Sequence, residues 1–133
     1  EHHSNILPWQ KYAEKRNVKV RFIPIDPQTY TLDTSALSQY ITARTRIVSV
    51  SHISNALGTV VDVESIIQRA REVGAWVVLD ICQSIGHLTD SIRALDTDVL
   101  VFSGHKMYGP TGVGGYWARL DLLNVLKPAQ WGG

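Results

Sequence analysis

The stretch "DVESIIQRAREVGAWVVLD" (residues 62–80) decides the fold class, because it predicts a helix followed directly by a buried strand. Asp62 is suited to cap the helix, and apolar residues recur at helical spacing from Val63 to Ala70. Gly74 stands where a glycine commonly ends a helix. The following "AWVVL" has no polar alternation, as expected of a strand covered by helices on both faces. A helix leading into such a strand is typical of an α/β protein.

The same alternation of helix and strand extends in both directions from this stretch. Further helices are predicted over residues 4–16, with Ser4 as cap, over 33–41 and over 119–126. The predicted strands are 18–25, 45–52, 75–80, 97–103 and 114–118. Long connections between strands are typical of parallel crossovers. We therefore expect one α/β domain over residues 1–133, with a mostly parallel sheet flanked by helices.

Composition narrows the class of protein. The net charge is +1 and no basic stripe is present, which argues against a nucleic-acid partner. The apolar runs are too short to span a bilayer, so no membrane association is predicted. A single cysteine, Cys82, cannot form an internal disulfide, and a cytoplasmic location is the default expectation. The abrupt ends at Glu1 and Gly133 favour a fragment of a longer chain.

Residues with chemical function follow three of the predicted strands, in "SHISN" (51–55), "LDICQ" (79–83) and "FSGHK" (102–106). In parallel α/β sheets, ligands bind outside the carboxyl ends of the strands. The sequence therefore predicts a binding site at this edge of the sheet. No metal site is predicted.

Asp80 and Lys106 are the two leading candidates, and each has a plain alternative. Asp80 could simply cap a turn, or it could be a buried counter-ion for a protonated pyridine, which pyridoxal phosphate requires. Lys106 could be a surface residue, or an amine that attaches to the cofactor aldehyde. The neighbouring His105 and the tight turn expected at Gly109 and Pro110 favour the second interpretation.

Other residues are more ambiguous. Ser103, Gly104 and His105 could hold a phosphate, although such residues are also ordinary in turns. The stretch "TGVGG" (111–115) lacks the context of a phosphate loop and is interpreted as a turn and a strand. Cys82 is interpreted as structural rather than nucleophilic, because burial near a carboxylate disfavours its thiolate.

Four blocks of this sequence together resemble the class V aminotransferase superfamily: "EHHSN" with the following "PW", "VSHISNALGT", "LDICQSIGH" and "LDTDVLVFSGHKMYGPTGVG". Within it, the chain is most similar to the SUF-type (group II) cysteine desulfurases and selenocysteine lyases. The resemblance covers nearly the whole chain, in order. It implies the large-domain core of the fold type I enzymes that depend on pyridoxal 5'-phosphate (PLP), and a homodimer.

The resemblance also implies roles for individual residues. Lys106 matches the lysine that attaches to the cofactor, and Asp80 matches the partner of the pyridinium nitrogen. Gln83 matches the residue that contacts the phenolic oxygen. The remaining matches are Ser103 and His105 for the phosphate, His2 for stacking on the ring and proton transfer, and Asn55 for the region of the cofactor and the substrate carboxylate. His2 and His3 are thus preferred as native residues over the remnant of a purification tag.

The chain also departs from the family pattern. Ile81 and Cys82 stand where the family usually has small residues, and this crowds the turn after Asp80. The upstream phosphate loop and the C-terminal small domain, which would carry the persulfide-forming cysteine and the carboxylate-binding arginine, have no counterpart in these 133 residues. We therefore expect the isolated chain to be inactive.

The expected function is that of the core of an enzyme that converts L-cysteine to L-alanine and an enzyme persulfide. The persulfide would pass to a sulfur-acceptor protein for iron–sulfur cluster assembly. Selenocysteine lysis, epimerisation or another reaction of the superfamily is the alternative chemistry. A catalytically inactive scaffold is the alternative of a different class.

Overall fold

Four strands form one sheet in the order β1-β2-β3-β4. A computed structural model of the chain describes residues 1–88, 92 and 94–128. The strands are β1 (Ile47–Ser51), β2 (Trp76–Asp80), β3 (Val99–Ser103) and β4 (Gly114–Ala118). β1, β2 and β3 run parallel, and β4 pairs with β3 in the antiparallel sense. The predicted α/β architecture with a mostly parallel sheet is confirmed, and β4 makes the sheet mixed.

Four helices have defined bounds: α1 (Leu7–Arg16), α2 (Leu37–Tyr40), α3 (Val63–Glu72) and α4 (Leu120–Leu123). α3 begins as the sequence predicts, because the Asp62 carboxylate accepts a hydrogen bond from the Ser65 N–H at 3.1 Å. It ends as predicted too, since Gly74 has a φ of +70°. Within the described ranges, every helix is too short or too polar to cross a bilayer.

The two faces of the sheet differ in composition. One face packs against α3 and forms the hydrophobic core, with Val48 and Val50 of β1 and Val77 and Leu79 of β2 buried. Side chains alternate along a strand, so the intervening residues project from the other face. There the strand register sets Ser51, Asp80 and Val101 side by side. We call this second face the site face.

The N-terminal segment lies on the site face. The Asn5 Oδ1 atom accepts hydrogen bonds from the Ser49 hydroxyl at 2.5 Å and from the Trp9 indole at 3.1 Å. Asn5 ends a 3-10 turn, His3–Asn5, that directly precedes α1. The position of Ser49 on β1 therefore fixes the side of the sheet on which the chain start lies.

Two sequence predictions about local structure are wrong. Residues 18–25 form no strand, because their alternating apolar residues find no neighbouring strand and only Ile25 makes an isolated bridge, to Leu32. Ser4 does not cap a helix over 4–16. The His2 ring takes that role for the 3-10 turn by accepting the Ser4 N–H.

Candidate functional site

Asp80 is the last residue of β2, and only 7% of its surface is exposed. Its Oδ1 atom accepts a hydrogen bond from the Cys82 N–H at 3.0 Å. The carboxylate therefore does cap the turn, as the plainer interpretation predicts. It is also buried at the carboxyl end of a parallel strand, where a cationic partner would offset the cost of desolvating its charge.

Lys106 lies just beyond the end of the neighbouring strand β3, in the 3-10 turn Gly104–Lys106, which we call the lysine turn. Its side chain is half-buried. The Gly109 N–H donates to the Gly104 carbonyl at 2.9 Å, and a Cβ atom at Gly109 would lie 2.9 Å from that same oxygen. Only glycine fits at this approach. The tight turn expected after the lysine is therefore present.

Cys82 shows that the groups at the two strand ends interact. Its Sγ atom lies 3.5 Å from the Ser103 hydroxyl. Burial raises the pKa of the Cys82 thiol, the Ser103 hydroxyl opposes this rise, Asp80 adds to it, and the Lys106 ammonium opposes it. A thiol held protonated in this way is a weak nucleophile. This supports the interpretation of Cys82 as a structural residue.

Two of the remaining predicted residues lie near Asp80, Ser103 and Lys106, the group that we call the centre. Gln83 is half-buried in the turn after β2, and His105 is exposed beside Lys106. Among the described residues, two predicted members are not gathered into the centre. His2 bonds locally to Ser4, and Asn55 is exposed in the loop after β1.

A buried polar pair joins the segment after β1 to the turn after β2, and the sequence did not reveal it. His52 follows β1 and Ser84 lies in the turn after β2, and both are buried, at 5% and 0% exposure. The His52 Nδ1 and the Ser84 Oγ atoms are 3.1 Å apart. Burial lowers the pKa of His52, which favours its neutral form. The available signal was a histidine at the end of the predicted strand 45–52, which by itself does not reveal a partner 32 residues away.

Gly86 is a second residue near the centre that was not predicted from the sequence. A Cβ atom at this position would lie 3.0 Å from the Lys106 carbonyl oxygen. The Tyr108 hydroxyl donates to the Gly86 carbonyl at 3.3 Å. The turn after β2 and the lysine turn therefore contact each other directly through Gly86.

The donor atoms of the centre suit an organic cofactor. In the part of the chain that the structure describes, no three His, Cys, Asp or Glu side chains are grouped to hold a metal ion. At adjacent strand ends, a buried carboxylate suits a cationic group, an amine suits an electrophile and a hydroxyl suits an anion. Together they match a ligand that carries all three groups.

Comparison with known proteins agrees with this arrangement. The family model described as aminotransferase class-V matches residues 1–133. A cysteine desulfurase of Enterobacter sp. (strain 638) is 44% identical over the whole chain, which spans 32% of that protein.

Solved structures show the same fold. The cysteine desulfurase CsdA from Escherichia coli superposes with a TM-score of 0.92 at 36% identity, covering all of this chain and 33% of that one. A structure of SspA in complex with cysteine superposes with a TM-score of 0.82 at 28% identity, covering all of this chain and 38% of that one. The chain spans about a third of the length of these relatives. On the match over its whole length, it belongs to the class-V aminotransferase family.

Proposed function

We propose that these residues form the central part of the large domain of a PLP-dependent cysteine desulfurase. The whole enzyme would convert L-cysteine to L-alanine and transfer the sulfur to a cysteine thiol, which becomes a persulfide. That cysteine and the arginine that binds the substrate carboxylate would lie in segments outside these residues. The observation that carries the proposal is the placement of buried Asp80 and half-buried Lys106 at the ends of adjacent parallel strands.

The residues present fit PLP by their chemistry. The buried Asp80 carboxylate suits a protonated ring nitrogen, because a buried charge is stabilised by an opposite one. The Lys106 amine suits the aldehyde. Ser103 directly precedes the lysine turn and His105 lies within it, and both side chains suit the phosphate. Gln83, in the turn after Asp80, would contact the phenolic oxygen.

PLP, when bound, supplies an electron sink for the bonds to the substrate α-carbon. Asp80 would keep the ring nitrogen protonated, because its buried charge faces little competition from solvent. Lys106 would hold the cofactor and move a proton between its Nζ atom and the substrate. His2 would stack on the ring and exchange a proton through its imidazole, on the site face where the N-terminal turn lies.

The proposed substrate rests on the similarity of this chain to its relatives. The matched curated proteins are named cysteine desulfurases, and one solved neighbour is a complex with cysteine. We therefore propose L-cysteine as the substrate and place Asn55 near its carboxylate. L-selenocysteine is the competing substrate. The homodimer, the sulfur-acceptor protein for iron–sulfur cluster assembly and the cytoplasmic location stay predictions from the resemblance.

The decisive experiment is to locate the attachment of PLP in the full-length protein. We expect a visible absorbance band after PLP is added, and borohydride treatment followed by peptide mapping should place the label on Lys106. The Lys106→Ala variant should lose both the band and the label. Lys19→Ala, which changes an exposed lysine, is the matched control and should retain them.

Two results would contradict the proposal. Label on another lysine would show that Lys106 is not the residue that attaches to PLP. A full-length protein that binds PLP at Lys106 but releases no alanine from L-cysteine would show a different reaction of the family or an inactive scaffold.

A further inference from the structure

The turn of residues 81–88 connects the two halves of the proposed site. At its start, the Cys82 N–H holds the Asp80 carboxylate at 3.0 Å. Near its end, Gly86 leaves no room for a Cβ atom beside the Lys106 carbonyl, and the Gly86 carbonyl accepts a hydrogen bond from the Tyr108 hydroxyl. The turn therefore contacts both the Asp80 carboxylate and the segment that carries Lys106.

The buried pair His52–Ser84 anchors the middle of this turn. Ser84 lies in the middle of the turn, and its hydroxyl contacts the His52 Nδ1 atom at 3.1 Å. The backbone of His52 is itself fixed, since its N–H donates to the Asp80 carbonyl at 2.9 Å and its carbonyl accepts the Val61 N–H at 2.9 Å. The imidazole is thus a fixed point against which the turn is positioned.

This hydrogen bond is well protected from solvent. Both side chains are buried, so neither group can exchange its partner for bulk water. Loss of Ser84 leaves the His52 Nδ1 atom without this partner, whereas the Ser84 hydroxyl also lies 3.4 Å from the Ile81 carbonyl. A neutral imidazole can donate or accept at Nδ1, which suits a hydroxyl that can do either. Burial, which lowers the pKa of His52, favours this neutral form.

We propose that His52 is a positioning residue for the PLP site, acting through Ser84 to hold the turn 81–88 so that Asp80 and Lys106 keep the spacing that the cofactor needs. The inference rests on the proposed function and extends it to a buried residue that is assigned no contact with the cofactor. A purely structural pair would instead change stability alone.

The test measures PLP affinity, the visible band and thermal stability in the full-length protein. Ser84→Ala and His52→Leu should each weaken PLP affinity about fivefold or more, the effect of losing one buried hydrogen bond, and should shift or broaden the band. The double variant should be no weaker than the poorer single variant, because the two residues act as one unit. His52→Asn should recover part of the affinity, since an amide can replace the Nδ1 group.

The matched control is Ile66→Val, which shortens a fully buried side chain of α3 on the other face of the sheet. It should lower the melting temperature without changing PLP affinity. In the apoprotein, hydrogen exchange of the amides of residues 84–88 should accelerate in Ser84→Ala and not in Ile66→Val.

The outcomes separate this inference from the proposed function. If Ser84→Ala and His52→Leu behave like Ile66→Val, with lower stability and unchanged affinity and band, the positioning role is wrong while the PLP site stands. If the wild-type protein has no PLP band that depends on Lys106, the proposed function is wrong and the positioning role falls with it.

Discussion

Gly86 leaves almost no room beside the lysine turn, so Gly86→Ala should weaken cofactor binding. A Cβ atom would lie 3.0 Å from the Lys106 carbonyl oxygen and 3.9 Å from two atoms of the Tyr108 side chain. The nearest atom belongs to backbone and cannot rotate away. To relieve the contact, the lysine turn must move outward by a few tenths of an ångström.

Two opposing effects set the change in the free energy of unfolding of Gly86→Ala. An overpacked contact of this kind costs about 1–3 kcal/mol, and alanine returns about 0.4–1 kcal/mol by restricting the unfolded chain. Gly86 does not have a positive φ, so alanine adds no backbone strain. The net loss of unfolding free energy is the difference of the two, up to about 2.6 kcal/mol. Only the overpacking acts on cofactor binding, because the unfolded chain takes no part in it. If binding requires the original position of Lys106, PLP affinity therefore falls by the full amount of about 1–3 kcal/mol, or roughly five- to 150-fold.

The assay combines urea unfolding of the full-length apoprotein with PLP titration of the visible band. Gly74→Ala is the matched control, because Gly74 has a φ of +70° and a Cβ atom there would meet nothing within 4 Å. It should lose about 1–2 kcal/mol of stability through backbone strain alone and keep its PLP affinity. Wild-type affinity in Gly86→Ala would refute the reasoning that this contact positions Lys106.

Three further predictions concern the groups around the site. Asp80→Asn should keep the fold but lower cysteine turnover about 10- to 100-fold, the equivalent of one charged hydrogen bond, and unchanged turnover would make Asp80 only a cap. Cys82→Ala should leave conversion of cysteine to alanine largely intact, whereas a persulfide found on Cys82 by mass spectrometry would overturn its structural role. Because burial lowers the pKa of His52, its neutral form stabilises the fold above the ordinary histidine pKa of about 6.5, and this contribution is lost as the pH falls through the lowered pKa. The free energy of unfolding of the wild type should therefore decrease more than that of His52→Asn between pH 7.5 and pH 5, and equal decreases would contradict the assignment.

Local signals predicted the elements whose ends are set by nearby residues. The helix after Asp62 is correct because a cap, a helical period and Gly74 agree within a single segment. The strand expected over 18–25 is wrong because alternation alone does not supply a pairing partner, which is a property of the whole sheet. The capping role expected of Ser4 is taken by His2, whose ring nitrogen accepts a hydrogen bond from the Ser4 N–H.

In the candidate site too, residues at strand ends could be predicted from the sequence, whereas contacts between loops could not. Asp80 and Lys106 could be singled out because each follows an apolar strand, and parallel strands bring such ends together. The contact between His52 and Ser84, and that between Gly86 and Lys106, depend on how two loops pack. A serine or a glycine in a turn has ordinary local explanations, so sequence alone gave no reason to connect these residues.

The antiparallel pairing of β3 with β4 has a consequence for the order of folding. The lysine turn belongs to residues 104–113, the direct link between these two strands, whereas the parallel pairs close over residues 52–75 and 81–98. Shorter loops lose less chain entropy on closing, so the β3–β4 hairpin is the least costly pairing to nucleate. We therefore expect Lys106 to reach its native turn before the crossover brings Asp80 alongside. On this order, competence to hold the proposed cofactor would be acquired late, when the slower parallel contacts form.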